Sequence, residues 1–99
     1  MNGPRVKVDA NTLRRWFNEA DMAGKAQRGE LRQRLRVDEV RPTLSKDEPP
    51  GTRCQLVEYF DGEERIAIVF QYLRPNGELG GSGRPDPKLI VKDGVEYTL

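Results

Sequence analysis

The chain has no histidine, one cysteine and one tryptophan among its 99 residues. Without histidine there is no Ser-His or Cys-His nucleophile pair, no imidazole base and no imidazole metal ligand. A metal would need carboxylate oxygens, as Mg²⁺ or Ca²⁺ accepts. The acidic group Asp61, Glu63 and Glu64 lacks the spacing of a calcium loop. No metal or cofactor is therefore expected. Cys54 has no cysteine to pair with, which suits a reducing cytoplasm; with no histidine to activate it, it reads as a small buried side chain. Long apolar runs are also missing. The longest, Ile66 to Phe70, is far below the roughly 20 residues of a membrane-spanning helix. Met1 to Arg5 contain no signal-peptide core. The expectation is a cytoplasmic protein with no membrane contact.

Charge is what the chain has in abundance: 33% of residues are charged, against 35% hydrophobic. That balance fits one domain, residues 1–99, with a small core. Residues 1–41 hold 10 Lys and Arg against 6 Asp and Glu, or +4; residues 42–99 hold 7 against 10, or −3. Such a split marks either an anion-binding half or two halves that attract each other.

Arg5 to Asp9 alternates and predicts a short edge strand. Asp9, Asn11 or Thr12 then caps a helix over Thr12 to Met22, with Leu13, Trp16, Phe17 and Ala20 on one stripe and Gly24 as its stop. A second helix is expected over 26–36. It would align Arg28, Arg32 and Arg36 at i, i+4 and i+8 as a basic row. Residues 42–53 read as a polar linker stiffened by Pro49-Pro50.

Asp61-Gly62, Asn76-Gly77 and Asp93-Gly94 then punctuate short apolar runs, the strongest local signal for hairpins. A two-residue loop at Asp61-Gly62 sets Phe60 opposite Glu63 and Glu58 opposite Arg65. Val57 and Tyr59 would share the core face with Ile66, Ile68 and Phe70. Ile90 would pair with Tyr97 in the last hairpin, with Ile90, Val95, Tyr97 and Leu99 facing inward. The expected fold is α+β. One or two N-terminal helices (about 9–41) pack on a C-terminal antiparallel β-meander of about four strands (54–99).

Two constellations are candidate sites. In Gly80-Gly81-Ser82-Gly83-Arg84-Pro85-Asp86-Pro87, three glycines within four residues let backbone N–H groups converge on an anion. Arg84 would add a charge-assisted contact that Asp86 orients, with Gly81, Ser82 and Gly83 lining it. The loop lacks the Gly-Lys-Ser/Thr ending of a P-loop, and a wide connector is the plain alternative. Pro85-Asp86 with Glu96 matches part of the Pro-Asp…Glu-x-Lys pattern of metal-dependent nucleases, but Thr98 stands where its lysine belongs. The second candidate is the arginine set Arg14, Arg15, Arg28, Arg32, Arg34, Arg36 and Arg41, with Arg28, Arg32 and Arg36 as its basic row, since arginine binds phosphate through a planar fork. The sequence pI of about 7.9 argues against a typical nucleic-acid binder.

Three functional readings follow. The first is a non-catalytic protein-interaction domain, a homodimer among its options. The second is a nucleic-acid-binding module using the helical arginines. The third is a small nuclease-like or hydrolytic toxin, which would require Arg84, Asp86 and a tyrosine in one cleft.

Overall fold

A computed structural model describes residues 4–40 and 48–99 of the chain. It is α+β, with two short helices and a six-stranded mixed sheet. The elements are β1 (Arg5–Lys7), α1 (Ala10–Glu19), α2 (Met22–Gln27), β2 (Arg32–Val40), β3 (Arg53–Asp61), β4 (Glu64–Leu73), β5 (Asp86–Lys92) and β6 (Val95–Thr98). Spatial order is β1-β6-β5-β4-β3-β2. The two strands that flank the helices in sequence thus form opposite edges, and the helical pair crosses the sheet between them. Among the described residues, only the β1–β6 pairing is parallel.

Asp9 caps α1, its carboxylate accepting from Thr12 N at 2.7 Å. The helix lays Leu13 and Phe17 into the core, and the Trp16 ring meets Tyr97 edge-on at 4.9 Å. Asp21, in the left-handed region at φ 51°, separates α1 from α2. Gly24 lies inside α2 rather than ending a helix. The stop is Gly29. Its φ of 79°, with bonds from Gly29 N to Ala26 O and Glu30 N to Lys25 O, forms a Schellman cap.

That cap ends the expected second helix before it starts. Residues 32–40 are the edge strand β2, so Arg28, Arg32 and Arg36 form no helical row. The i, i+4 spacing of Leu31 and Leu35 competes with an alternation of Arg32, Arg34 and Arg36 against Gln33, Leu35 and Val37. Pairing along β3 decides for the alternation. Strands therefore number six, and the sheet begins well before residue 54. Of the expected linker, residues 42–47 lie outside the described residues; Thr52 is fully buried and Arg53 already belongs to β3.

The β3–β4 hairpin turns at Gly62-Glu63, with Asp61 opposite Glu64 and Phe60 opposite Arg65. A bulge at Ile66 then flips the remainder of β4, because one extra residue exchanges the two faces of a strand. Ala67 and Val69, not Ile68 and Phe70, share the helix-covered face with Val57 and Tyr59. Ile66 packs partly buried against that core. Ile68 is buried on the other face, where Phe60, Phe70 and Tyr72 also lie. Arg65 still reaches Glu58 at 3.2 Å and also Glu96 at 2.9 Å, while Arg5 bonds Glu96 from β1 at 2.9 Å. This ladder lets Glu96, only 6% exposed, stay ionised on the helix-free face.

Ile90 pairs with Tyr97 as expected, around Asp93-Gly94. Both loop residues have positive φ, 52° and 78°, the signature of a type I′ turn. Leu99 is exposed, past the end of β6. Cys54 is buried. No helix among the described residues is long and apolar enough to cross a membrane.

The carboxyls of Asp9, Asp38, Glu48 and Glu96 are all held below their usual range, chiefly by hydrogen bonds from Thr12, Arg53, Arg74 and Arg5 respectively. A lowered folded pKa gives stability that is full above the unfolded value, about 4, and fades as pH falls through the folded one. Tyr59 is the opposite case: burial pushes its hydroxyl up to about 12. Its contribution is full below pH of about 10 and is lost as pH rises toward 12. With no histidine to titrate between, the melting temperature is expected to be nearly flat from about pH 5 to 9. It should fall on both sides, which a pH series of thermal melts would check. A steep change between pH 6 and 7 would contradict this assignment.

Candidate functional site

The glycine-rich segment owes its shape to the two prolines that follow it. β5 is an inner strand, and Pro87 has no N–H to give the ladder. The β4–β5 register slips beside it, between Ile68 and Val69, leaving Lys88 as the extra residue. On the far side, Leu79 bridges to Leu73 and Gly80 N donates to Tyr72 O at 2.9 Å. Asp86 already faces Phe70. The chain therefore uses seven steps from Leu79 to Asp86 where β4 uses three, and the excess bows away from the sheet.

The bow opens a cleft of about 550 Å³ between this loop, β4 and α1. That is within the size range of ligand pockets. Gly81, Ser82, Arg84 and Asp86, four of the residues singled out in the sequence, line it. Arg14 of α1, Tyr72 and Lys88 line it as well, with Phe17 and Pro85 as apolar wall. Gly83 lies behind, in a second hollow of about 380 Å³ against α2 that also touches Arg84.

Asp86 accepts from Lys88 Nζ at 2.9 Å and Arg14 Nε at 3.2 Å. Burial raises its pKa, but the hydrogen bond and charge of Lys88, with those of Arg14, outweigh this and hold it below the usual range. The cleft thus carries three cations and one carboxylate. Arg14 and Lys88 share Asp86, whereas the exposed guanidinium of Arg84 has no carboxylate partner among the described residues.

The loop is anchored from outside the sequence motif. Glu48, 3% exposed at its side chain, accepts from Arg74 Nε at 2.9 Å and from Gly81 N at 2.7 Å. Gly80 lies so close to this carboxylate that any Cβ would collide with it. Gly81 has φ 61°, where a side chain is strained, and its Cβ would touch the Tyr72 ring. Gly81→Ala is therefore expected to cost about 1 kcal/mol through the backbone alone. Gly77→Ala, at φ 90° in open space, should cost a similar amount without disturbing the cleft. Chemical denaturation of both variants measures the costs, and NMR shifts of the cleft amides separate the two effects.

Glu48, Arg74 and Tyr72 were not legible as site residues, and Arg14 was legible only as one of the N-terminal arginines, not as part of this cleft. Arg14 meets Asp86 across 72 positions, and no local spacing signals such a pair. The remaining expected site residues lie elsewhere. Arg28 is held by Asp21 at 3.0 Å and by Glu30. Arg32 lies over the Phe60 ring, 4.4 Å from its centre, and Arg36 is the bulge residue of β2. Among the described residues no cluster of three or more His, Cys, Asp or Glu side chains is placed to hold a metal. Comparison of the chain with protein families, with curated proteins and with solved structures gave no match.

Proposed function

We propose that the chain is a non-catalytic protein-interaction domain whose cleft receives an acidic side chain of a partner. The observation that carries this reading is the placement of Arg84: an exposed guanidinium with no carboxylate partner among the described residues, lining a cleft that already holds Arg14 and Lys88. A forked donor beside apolar walls suits a carboxylate borne on a peptide. Phe17, Tyr72 and Pro85 offer the apolar surface beside it. Selection of a randomised displayed peptide library on the folded protein tests the reading. Enriched peptides should carry Asp or Glu. Recovery of nothing above background, or of peptides free of acidic residues, would sink it.

A second reading is favoured by one observation: Tyr72, Arg84 and Asp86 do line one cleft, with Lys88 beside them. That combination is the one a nuclease-like toxin without histidine would need. Against it, Asp86 is shared by two cations and its pKa is lowered, so it is a weak base at neutral pH. Incubation with single-stranded RNA is expected to give no cleavage. Cleavage abolished by Tyr72→Phe or Asp86→Asn would replace the first reading with this one.

A further inference from the structure

The edge strand β2 is an unusual surface. It is nine residues long, ends the sheet, and is exposed at every position but Val37. Leu35 and Val40, at 52% and 50% exposure, are two of the four large hydrophobic side chains left in solvent among the described residues. Arg34 and Arg36 have no carboxylate partner among the described residues, and Arg32 is held only by the face of Phe60. The carboxylate nearest in register, Glu58, is taken by Arg65 at 3.2 Å. Arg32 and Arg34 point to the helix-free face of the sheet, Leu35 to the other.

We infer that β2 adds a short, extended, acidic segment of a partner protein to the sheet. The segment places acidic side chains over Arg32 and Arg34 and an apolar one beside Leu35. Backbone hydrogen bonds along the free edge supply affinity, and alternate side chains supply selectivity. The bulge at Arg36 breaks the edge after Leu35, so the added strand is short and long flat strands are refused. A second copy of this chain is the poorer occupant, because edge-to-edge pairing about the strand centre sets Arg36 and its bulge against themselves. RNA is poorer too, because it covers neither Leu35 nor Val40 and makes no use of the strand's backbone ladder. This inference rests on the reading of the chain as a protein-binding domain, but uses a surface apart from the cleft.

The test is a titration of the isotope-labelled full chain with a capped peptide alternating Glu and Val, followed by NMR. Amides of residues 32–35 should shift and exchange more slowly. Arg32→Glu with Arg34→Glu should weaken binding by roughly tenfold or more, since two attractions become repulsions. The milder pair Arg32→Gln and Arg34→Gln covers the case in which the reversal perturbs folding, and should weaken it less. In Arg84→Ala, whose cleft contact with an acidic peptide is weakened, the shifts of the amides of residues 32–35 should persist. The inference fails if no β2 amide responds at millimolar peptide, or if a Lys-Val peptide binds equally well. It also fails if the chain alone is a dimer with protected β2 amides, or if single-stranded RNA shifts these amides more strongly. Because the two surfaces map to different amides, failure here is distinguishable from failure of the cleft reading.

Discussion

Arg84→Ala is expected to weaken binding of acidic peptides by roughly ten- to a hundredfold while leaving the melting temperature unchanged. The size follows from a charge-assisted hydrogen bond, about 1.5–3 kcal/mol, and a tenfold change per 1.4 kcal/mol. The unchanged melt follows from exposure: the Arg84 side chain has no carboxylate partner among the described residues, so stability should move by no more than about 0.5 kcal/mol. Arg84→Lys should recover part of the affinity, because it keeps the charge but not the fork. Titration calorimetry with a selected peptide, alongside a thermal melt, reads both quantities. Equal loss of binding and stability would make Arg84 a structural residue.

Leu13→Ala should have the largest effect on stability, about 3 kcal/mol, which is roughly 15 °C in melting temperature for a domain of this size. Leu13 is fully buried where α1 crosses the sheet, in the cluster that joins Val57, Val69 and Ile90 to the helices. In a chain only 35% hydrophobic, little else can close over the gap. Leu35→Ala, on the exposed edge, should cost a few tenths of a kcal/mol at most. Similar losses at the two positions would contradict the placement of the core.

The two hairpins flanking the sheet's centre were legible because Asp-Gly dipeptides have a physical reason to turn. The face of β4 was not. Ile66 to Phe70 is apolar throughout, so either set of alternate residues can be the core, and nothing in that run announces the bulge that decides. The α1 stripe was legible from its period, and Asp9, which caps the helix, was one of three residues expected to do so. The second helix, expected over 26–36, fails because Gly29 takes a positive φ there and terminates α2. Half of the cleft was legible, since glycines and prolines in one segment predict an irregular loop. The other half, Arg14 and Tyr72, comes from elements brought in by the fold, and only tertiary packing unites them.

The electrostatic division of the chain also has a structural meaning. Part of the basic excess of the first half is spent across the sequence, Arg14 on Asp86 and Arg5 on Glu96. These pairs join the two halves, as the charge split allowed. The arginines left over, on β2, remain outside that attraction, and the exposed guanidinium at the cleft belongs to Arg84 of the acidic half.

We propose that the glycine-rich loop and α1 form a carboxylate-binding cleft for a protein partner. The most direct measurement is an NMR shift map of the labelled chain titrated with a selected acidic peptide and with its Glu-to-Gln counterpart. The acidic peptide should move the amides of Gly81, Ser82, Arg84 and Asp86, together with Arg14, and the counterpart should leave them in place. Equal shifts from both peptides, or shifts confined to residues away from this cleft, would contradict it.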